Sequence, residues 1–411
     1  MKFNKHNPLG NEERVLVNEV LDSGNLSQFI GAWDPDFFGG PFVRKLEKDA
    51  AAYFGVRHAL TFNSWTSGLI AAVGAIGINP GDQIIVTPWT MSASAMAILH
   101  WNAVPVFADI DPKTYCIDPE DVLRKITPKT RAIMSVDIFG QSANTEALMD
   151  IAKKYKLKVI SDSAQAPGAK RNGKFAGTLT DVGGFSLNYH KHIHTGEGGI
   201  LVTDDDEIAQ KCRLIRNHGE SVVGEAGIED IRNIIGYNFR MTEIEAAIGV
   251  AQLPKLEPIV ARRSAQAKFL SDGLSNLRGL TTPYVDPGNT HVYYVYPMQL
   301  DTSIILTPKE EILIRLNDLG LEGISTKYQN IHLLPIFQSK IAYGNMGFPW
   351  SINEEGNSIS YAKGICPEAE YLQDLSYICF YLNGFNLDEN SLSFIVETFV
   401  KVWKDLEFAK D

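Results

Sequence analysis

The segment that decides the fold reads Thr145-Glu-Ala-Leu-Met-Asp-Ile-Ala-Lys-Lys-Tyr-Lys-Leu-Lys-Val-Ile-Ser-Asp162. Its first part carries apolar side chains such as Leu148 and Ile151 at the spacing of one helix face. Its last part, Val159–Ser161, lacks the polar alternation of a half-exposed strand, which is typical of a strand covered on both faces. A helix followed by such a strand predicts one unit of a parallel sheet packed between helices.

The same alternation of apolar runs and helical patterns extends from about residue 55 to residue 255. It predicts an α/β fold with a mostly parallel central sheet between helices. The other runs that predict strands are Ala59–Phe62, Ile84–Thr87, Val106–Asp109, Ala132–Val136, Gly184–Leu187 and Ile200–Thr203. After Leu256 the pattern changes to a long polar helix, extended segments such as Thr290–Gln299, and a C-terminal amphipathic helix. We therefore expect an N-terminal segment and large domain over residues 1–255, and a smaller α+β domain over residues 256–411.

The composition excludes several classes of protein. The 411 residues carry a formal net charge of −11, which argues against nucleic acid or an anionic membrane as a partner. The N-terminus lacks the apolar region of a signal peptide, and no run of about 18 apolar residues predicts a transmembrane helix. The four scattered cysteines form no CxxC pair, so we expect free thiols and a cytoplasmic protein.

Ligands of α/β sheets bind beyond the carboxyl ends of strands, so polar residues that follow the predicted strands are candidates for a site. Asp162 is one such residue: its carboxylate can pair with a protonated pyridine nitrogen, with Gln165 near the same ring, or it can simply cap a helix. Lys191 lies between a strand and a Gly-rich turn in Phe185-Ser-Leu-Asn-Tyr-His-Lys-His-Ile-His-Thr-Gly-Glu-Gly-Gly199. A desolvated lysine can form a Schiff base with an aldehyde, although a single lysine is usually a solvated surface charge.

Two further segments follow predicted strands. In Thr61-Phe-Asn-Ser-Trp-Thr-Ser-Gly68, the hydroxyls of Ser64 and Thr66 at a helix N-terminus are candidates for a phosphate site, and a plain helix cap is the alternative. In Pro88-Trp-Thr-Met-Ser-Ala-Ser94, Trp89 or Met91 can cover one face of a flat ring, or either can belong to the core.

The alternation of His190, His192 and His194 invites a metal-site interpretation. No carboxylate or cysteine stands beside these histidines at a usual ligand spacing, so we expect no metal.

Taken together, these segments resemble the DegT/StrS family of sugar aminotransferases, which depend on pyridoxal 5′-phosphate (PLP) and have the fold of aspartate aminotransferase. The resemblance covers nearly the whole chain, from Gly39-Gly-Pro-Phe-Val-Arg-Lys-Leu-Glu47 to Cys366-Pro-Glu-Ala-Glu370. Its most specific parts are Thr195-Gly-Glu-Gly-Gly199 and Tyr237-Asn-Phe-Arg240. It implies PLP as the cofactor and pyridoxamine 5′-phosphate as its intermediate form.

The resemblance also implies roles by position. Lys191, five residues before Gly196, matches the lysine that holds the cofactor, and Asp162 matches the partner of the pyridine nitrogen. Gln165 matches the residue beside the ring hydroxyl.

Other matches concern the cofactor phosphate. Ser186, and the pair Trp65 and Thr66, match residues that hold the phosphate within one chain, and Ser64 precedes this pair. Asn238 matches a residue that the neighbouring subunit donates to the phosphate, which implies a homodimer with shared active sites.

The chain departs from the family pattern at three places. The usual Ser-Gly-Thr triplet is Ser64-Trp-Thr66, so a bulky side chain must point away from the phosphate loop or over it. The aromatic position that covers the ring falls on Met91, and Trp89 is the alternative for this role. The usual Leu-Pro-Leu segment near substrate is Cys379-Phe-Tyr-Leu-Asn383, which suggests an unusual sugar.

The activity that the resemblance implies is transfer of an amino group from glutamate to a ketosugar, either nucleotide-linked or phosphorylated. Lys191 would move the proton, and Tyr328 and His332, in a segment that matches the substrate loop, would contact the sugar. Two alternatives stay open: a deoxysugar dehydratase of the same family, which carries His at the lysine position, and a regulatory homologue that keeps the cofactor fold without turnover.

Overall fold

The computed structural model describes residues 1–410, and each apolar run predicted as a strand coincides with one of its strands. The strands are β1 (Asn4–Lys5), β2 (His58–Phe62), β3 (Gln83–Val86), β4 (Val104–Phe107), β5 (Thr130–Val136), β6 (Lys158–Asp162), β7 (Lys170–Arg171), β8 (Lys174–Phe175), β9 (Val182–Ser186), β10 (Gly199–Thr203), β11 (Leu280–Thr281), β12 (Tyr296–Leu300), β13 (Ile324–Ser325), β14 (Tyr377–Phe380) and β15 (Phe385–Asn386).

The helices alternate with the strands of the large domain and dominate both chain ends. They are α1 (Asn11–Ser23), α2 (Pro41–Phe54), α3 (Trp65–Ala75), α4 (Ala93–His100), α5 (Pro119–Lys125), α6 (Thr145–Tyr155), α7 (Asp206–Arg216), α8 (Glu243–Gln252), α9 (Leu256–Leu274), α10 (Lys309–Asp318), α11 (Pro335–Gln338), α12 (Glu354–Ser358), α13 (Pro367–Tyr371) and α14 (Glu389–Trp403). Among residues 1–410, no helix has both the length and the apolar character needed to cross a membrane.

The central sheet has seven strands in the order β2-β10-β9-β6-β5-β3-β4. Only β10 runs antiparallel to its neighbours, so β2, β3, β6 and β9 all end at the same edge. Alternate residues of β10 belong to different core clusters, Leu201 to one and Ile200 to the other, because helices cover both faces of the sheet. The polar residues that follow these strands are thereby brought together.

Several strands begin earlier than expected; β4, for example, starts at Val104, two residues before the predicted start at Val106, and includes Pro105. A proline fits because β4 is the last strand of the sheet, where a missing N–H breaks no ladder. Residues of the segment between α11 and α13 pack beside this strand, and the Tyr361 hydroxyl donates to the Pro105 carbonyl at 2.7 Å.

A second sheet, in the order β11-β12-β14-β13, lies in the C-terminal part. Ile378 and Phe380 of β14 pack in a separate core with helices α9, α10 and α14, whereas Tyr377 and Cys379 pack with the large-domain core. The second sheet therefore bridges its own core and the wall of the candidate site. The expected domain boundary at residue 256 falls at the start of α9.

Candidate active site

A cavity of about 420 Å³ opens at the edge of the central sheet where β2, β6 and β9 end. The strand-end residues of the large domain meet there with tyrosines from the C-terminal part. Its lining consists of Ser64, Trp65, Thr66, Leu69, Met91, Ala93, Asp162, Ala164, Gln165, Ser186, Asn188, His190, Lys191, Glu197, Tyr294, Val295, Tyr328 and Tyr381. A larger groove of about 860 Å³ lies between the N-terminal segment and α9, but its lysine, Lys255, is only partly buried and already pairs with Glu12 and Glu13.

Lys191 is the buried cation of this cavity, with only 6% of its surface exposed. Burial lowers the pKa of its amine from 10.5 to about 8, although the nearby Asp162 carboxylate opposes the shift. The Nζ atom lies 4.4 Å from the centroid of the Tyr294 ring. A lysine with such a pKa has a large fraction of free amine at slightly alkaline pH, as a nucleophile and proton carrier requires.

The loop that carries Lys191 is held from both sides. The Lys191 amide donates to the Asn188 carbonyl at 2.9 Å, and the Asn383 side chain donates to the His190 carbonyl at 3.1 Å. The buried His192 ring donates to the Val292 carbonyl at 2.8 Å. The histidines of this loop therefore have separate surroundings, and no group of three His, Cys, Asp or Glu within residues 1–410 is arranged to hold a metal.

Asp162 accepts three hydrogen bonds from neutral donors. The Trp65 indole donates to Oδ1 at 2.8 Å and the Ala164 amide to the same oxygen at 3.2 Å, while the Ser94 hydroxyl donates to Oδ2 at 2.6 Å. A carboxylate has about four acceptor positions, so one remains for a further donor. This open position lies on Oδ2.

The Gln165 amide is fixed at both ends. Its Oε1 accepts from the Phe139 amide at 2.8 Å, and its Nε2 donates to the Tyr328 hydroxyl at 3.1 Å. Phe139 has φ of 58°, an uncommon conformation for a large residue, within the short turn after β5. This turn directs its N–H at Gln165, so the side chain predicted to lie beside a ring is held in one orientation.

The N-terminus of α3 forms one end of the cavity. Ser64 caps the helix by accepting from the Ser67 amide at 3.1 Å, so the predicted cap is present. Trp65 and Thr66 form the first turn, whose amides have no acceptor within the helix, and Ser186 lines the same cavity. Free amides and hydroxyls at a helix N-terminus are typical of a phosphate site.

Trp89 does not line the cavity, contrary to the alternative that assigned it to the cofactor ring. It is fully buried, and its indole donates to Asn330 Oδ1 at 2.7 Å and stacks on Tyr115. Met91 lines the cavity instead and is 66% exposed. In the segment after β3, the Met91 side chain therefore faces the cavity and the Trp89 indole packs in the core.

His332 was predicted to contact the substrate, but it lies outside the cavity. Its side chain is completely buried, and its ring donates to Glu370 at 3.0 Å. Burial lowers the pKa of the ring, and the hydrogen bond to Glu370 opposes that shift. Tyr328, from the same segment, does line the cavity.

Asn238 lies outside the cavity of its own chain. It is exposed, and its Oδ1 accepts from Arg240 at 2.7 Å. The carbonyl of the next residue, Phe239, accepts from the Asn63 amide. Asn238 therefore lies close to the loop that leads into α3.

Sequence reasoning missed several residues of the lining, chiefly Tyr294 and Tyr381. Tyr294 lies in the extended segment before β12, and Tyr381 follows β14 in the segment that departs from the family pattern. Their position after or before a strand was the available signal. Asn188 was also missed, and its Oδ1 is buried without a hydrogen-bond partner in residues 1–410.

Comparison with known proteins identifies the chain. Residues 10–369 match the model of the DegT/DnrJ/EryC1/StrS aminotransferase family. The chain belongs to this family. The predicted family and the predicted aminotransferase activity are thereby confirmed.

Individual relatives agree with this assignment. The spore coat polysaccharide biosynthesis protein SpsC of Bacillus subtilis is 33% identical over 359 residues, 86% of this chain and 89% of the relative. GDP-perosamine synthase of Caulobacter vibrioides is 35% identical over 328 residues, 80% of this chain and 84% of the relative. The solved aminotransferase of Psychrobacter cryohalolentis superposes with a TM-score of 0.84 at 26% identity, over 98% of this chain and all of that one, which confirms the predicted α/β fold.

The residues of the cavity fit PLP, the cofactor that the family implies. The open position on Asp162 suits a single N–H donor such as a protonated ring nitrogen, and the α3 N-terminus suits a phosphate. Asn188 and the buried Lys191 also line this cavity, and the buried Oδ1 of Asn188 has no hydrogen-bond donor in residues 1–410.

Proposed function

We propose that this aminotransferase uses PLP to transfer an amino group from glutamate to a ketosugar, most specifically a nucleotide-linked one, forming an aminosugar. The observation that carries the proposal is the presence of the buried Lys191 amine and the buried Asp162 carboxylate in one cavity beside the α3 N-terminus. The relative GDP-perosamine synthase, whose name denotes a nucleotide-linked aminosugar product, supports the choice of acceptor.

The binding roles follow from the geometry. Asp162 would hold the proton on the ring nitrogen, the α3 N-terminus with Thr66 and Ser186 would hold the phosphate, and Met91 would cover one face of the ring. Gln165 would donate beside the ring hydroxyl from its fixed position. The cofactor supplies an electron sink that stabilises negative charge at the donor's α-carbon.

Lys191 would move the proton. Its amine would hold the cofactor at rest and, once free, would act as the base that takes a proton from the donor's α-carbon and as the acid that gives it back. The pKa of about 8 suits both tasks, because the free and protonated amine are then both populated at neutral to slightly alkaline pH. The aromatic faces of Tyr294 and Tyr328 would exclude water from this proton transfer.

A spectroscopic experiment tests the proposal. Purified protein with PLP is expected to show a visible absorbance band that disappears on addition of glutamate and returns on addition of a suitable ketosugar. Nucleotide-linked ketosugars, phosphorylated ketosugars and ketocyclitols are offered in turn, and mass spectrometry detects the aminated product. Colourless protein would contradict PLP binding, and a nitrogen-free deoxysugar would identify a dehydratase.

The proposal includes a cytoplasmic homodimer in which Asn238 reaches the phosphate of the partner's site. Its exposure in the single chain, outside the cavity, supports this role. Inactive Lys191→Ala and Asn238→Ala proteins are mixed after mild dissociation. If the sites are shared, the hybrid dimer contains one intact site, and roughly a quarter of wild-type activity returns at equal mixing. If each site is built from one chain, mixing restores nothing.

A further inference from the structure

We infer that the Trp65 indole is a positioning group for Asp162: it fixes the rotation of the carboxylate so that Oδ2 presents its open acceptor position to the cofactor's ring nitrogen. This inference rests on the proposed PLP chemistry. It assigns the unusual tryptophan of the phosphate loop a role at the opposite end of the cofactor from the phosphate.

The side chain of Trp65 leaves the loop that carries its backbone. The residue begins α3, where its amide belongs to the candidate phosphate site, but its side chain is 4% exposed and runs beneath the cavity. Its Nε1 reaches Asp162 Oδ1 at 2.8 Å. The tryptophan thus points away from the phosphate loop, one of the two possibilities that its bulk allowed, and reaches Asp162.

Two glycines leave the space that the Trp65 indole occupies. A Cβ at Gly184 would lie 2.2 Å from Trp65 Cζ3, and a Cβ at Gly68 would lie 2.6 Å from Trp65 Cε3. Gly184 of β9 is the residue paired with Asp162 of β6 in the sheet. The indole therefore lies over the strand position directly beside the carboxylate, and only a glycine there admits it.

The distribution of donors makes the indole decisive for orientation. Oδ1 takes Trp65 and Ala164, and Oδ2 takes Ser94, whose hydroxyl is in turn bonded to Thr90 at 2.7 Å. Because Oδ1 is filled, the free position can only be on Oδ2. All three donors to the carboxylate are neutral groups.

The test compares Trp65→Phe with a matched control. Phenylalanine keeps most of the apolar ring but removes the N–H. The control is Trp101→Phe, because Trp101 is also buried, packs on a glycine, and donates its indole to a backbone carbonyl, Ile70 O, at 2.7 Å outside the cavity. Both proteins are purified with PLP and checked for folding by circular dichroism.

The free energy of one hydrogen bond to a charged group corresponds to a fall in kcat of about tenfold or more when the bond is lost. We expect Trp65→Phe to show this fall with little change in the KM for glutamate, together with weaker PLP binding and an altered pH titration of the visible band. Trp101→Phe is expected to match the wild type in all four measurements. Gly68→Ala, whose added Cβ would come within 3 Å only of the Trp65 ring, displaces the indole without removing it and is expected to reproduce the Trp65→Phe effects.

A second measurement does not depend on turnover. In protein with ¹⁵N-labelled indoles, Asp162→Asn is expected to move the Trp65 Nε1–H resonance and leave that of Trp101 in place. A folded Trp65→Phe protein with wild-type kcat, PLP affinity and band titration would overturn the inference, as would an unmoved Trp65 resonance. Wild-type protein that binds no PLP would instead overturn the proposed function, so the two failures are distinguishable.

Discussion

The amine of Lys191 lies 4.4 Å from the centroid of the Tyr294 ring, although Lys191 lies in the loop after β9 of the central sheet and Tyr294 lies just before β12 of the second sheet. The ring forms part of the apolar wall that desolvates the amine, and desolvation is the main cause of its lowered pKa. A cation over an aromatic face is also stabilised electrostatically, so the ring limits the shift that burial alone would give. Four predictions concern this wall and the residues around it.

The first prediction concerns the capture of PLP by cofactor-free protein. Only the unprotonated Lys191 amine can react, and its pKa is about 8. The second-order rate of capture should therefore rise about tenfold per pH unit below pH 8 and level off above it. Stopped-flow absorbance measures this rate. A rise that continues to pH 10 would mean that the amine keeps the pKa of an ordinary lysine.

The second prediction is that Lys191 costs stability. The folded state binds its proton less tightly than the unfolded chain, with a pKa of about 8 against 10.5, so the penalty is full below pH 8 and vanishes above pH 10.5. Lys191→Met should raise the free energy of unfolding of cofactor-free protein by about 2 kcal/mol at pH 7. Urea unfolding measures the gain, which should shrink as the pH rises.

The control for this prediction is Lys45→Met, because Lys45 is exposed on α2 in a pair with Asp49. It should change stability by less than about 0.5 kcal/mol. An equal gain in both variants would show that added apolar surface, and not relief of a buried charge, is the cause.

The third prediction concerns Tyr328→Phe. Its hydroxyl accepts from Gln165 Nε2 at 3.1 Å, so the variant frees one end of this side chain. Loss of one neutral hydrogen bond should weaken PLP binding by about 2- to 10-fold, measured by absorbance titration. Tyr343→Phe, which loses a bond to the Leu99 carbonyl away from the cavity, should bind PLP as the wild type does. Equal PLP affinities for the wild type and both variants would contradict a role of Gln165 in cofactor binding.

The fourth prediction tests the corrected position of His332. Because its ring is completely buried beside Glu370, His332→Ala should cost about 2–4 kcal/mol of stability through a cavity and the loss of one hydrogen bond to the Glu370 carboxylate. Thermal unfolding measures the loss, and the KM for the ketosugar should stay the same. A raised KM with unchanged stability would restore the substrate role.

The large domain could be predicted from sequence because its strands are unbroken apolar runs and its site residues follow them directly. Asp162, Ser64 and Ser186 each lie at or just after a strand end, and the shared direction of those strands brings them together. Val104 was missed as a strand start because Pro105 interrupts the apolar run, and only an edge position makes that proline acceptable.

The remaining parts of the site depend on contacts between distant segments. Tyr294 and Tyr381 reach the cavity because the second sheet packs on the first core, which no local pattern encodes. The direction of the Trp65 side chain depends on an empty volume at Gly184, more than a hundred residues away. His332 matched a position of the family and Trp89 was the alternative for the ring-covering role, but tight packing turns both side chains into the interior.

The contact between Tyr361 and Pro105 bears on how the protein avoids self-association. Residue 105 faces away from β3, whose ladder uses Val104 and the residues two and four positions further on. Proline offers no N–H to an approaching strand, and its carbonyl is already occupied by the tyrosine hydroxyl. An incoming chain finds no N–H at this point and a carbonyl that already accepts a hydrogen bond, which disfavours intermolecular β-pairing along β4.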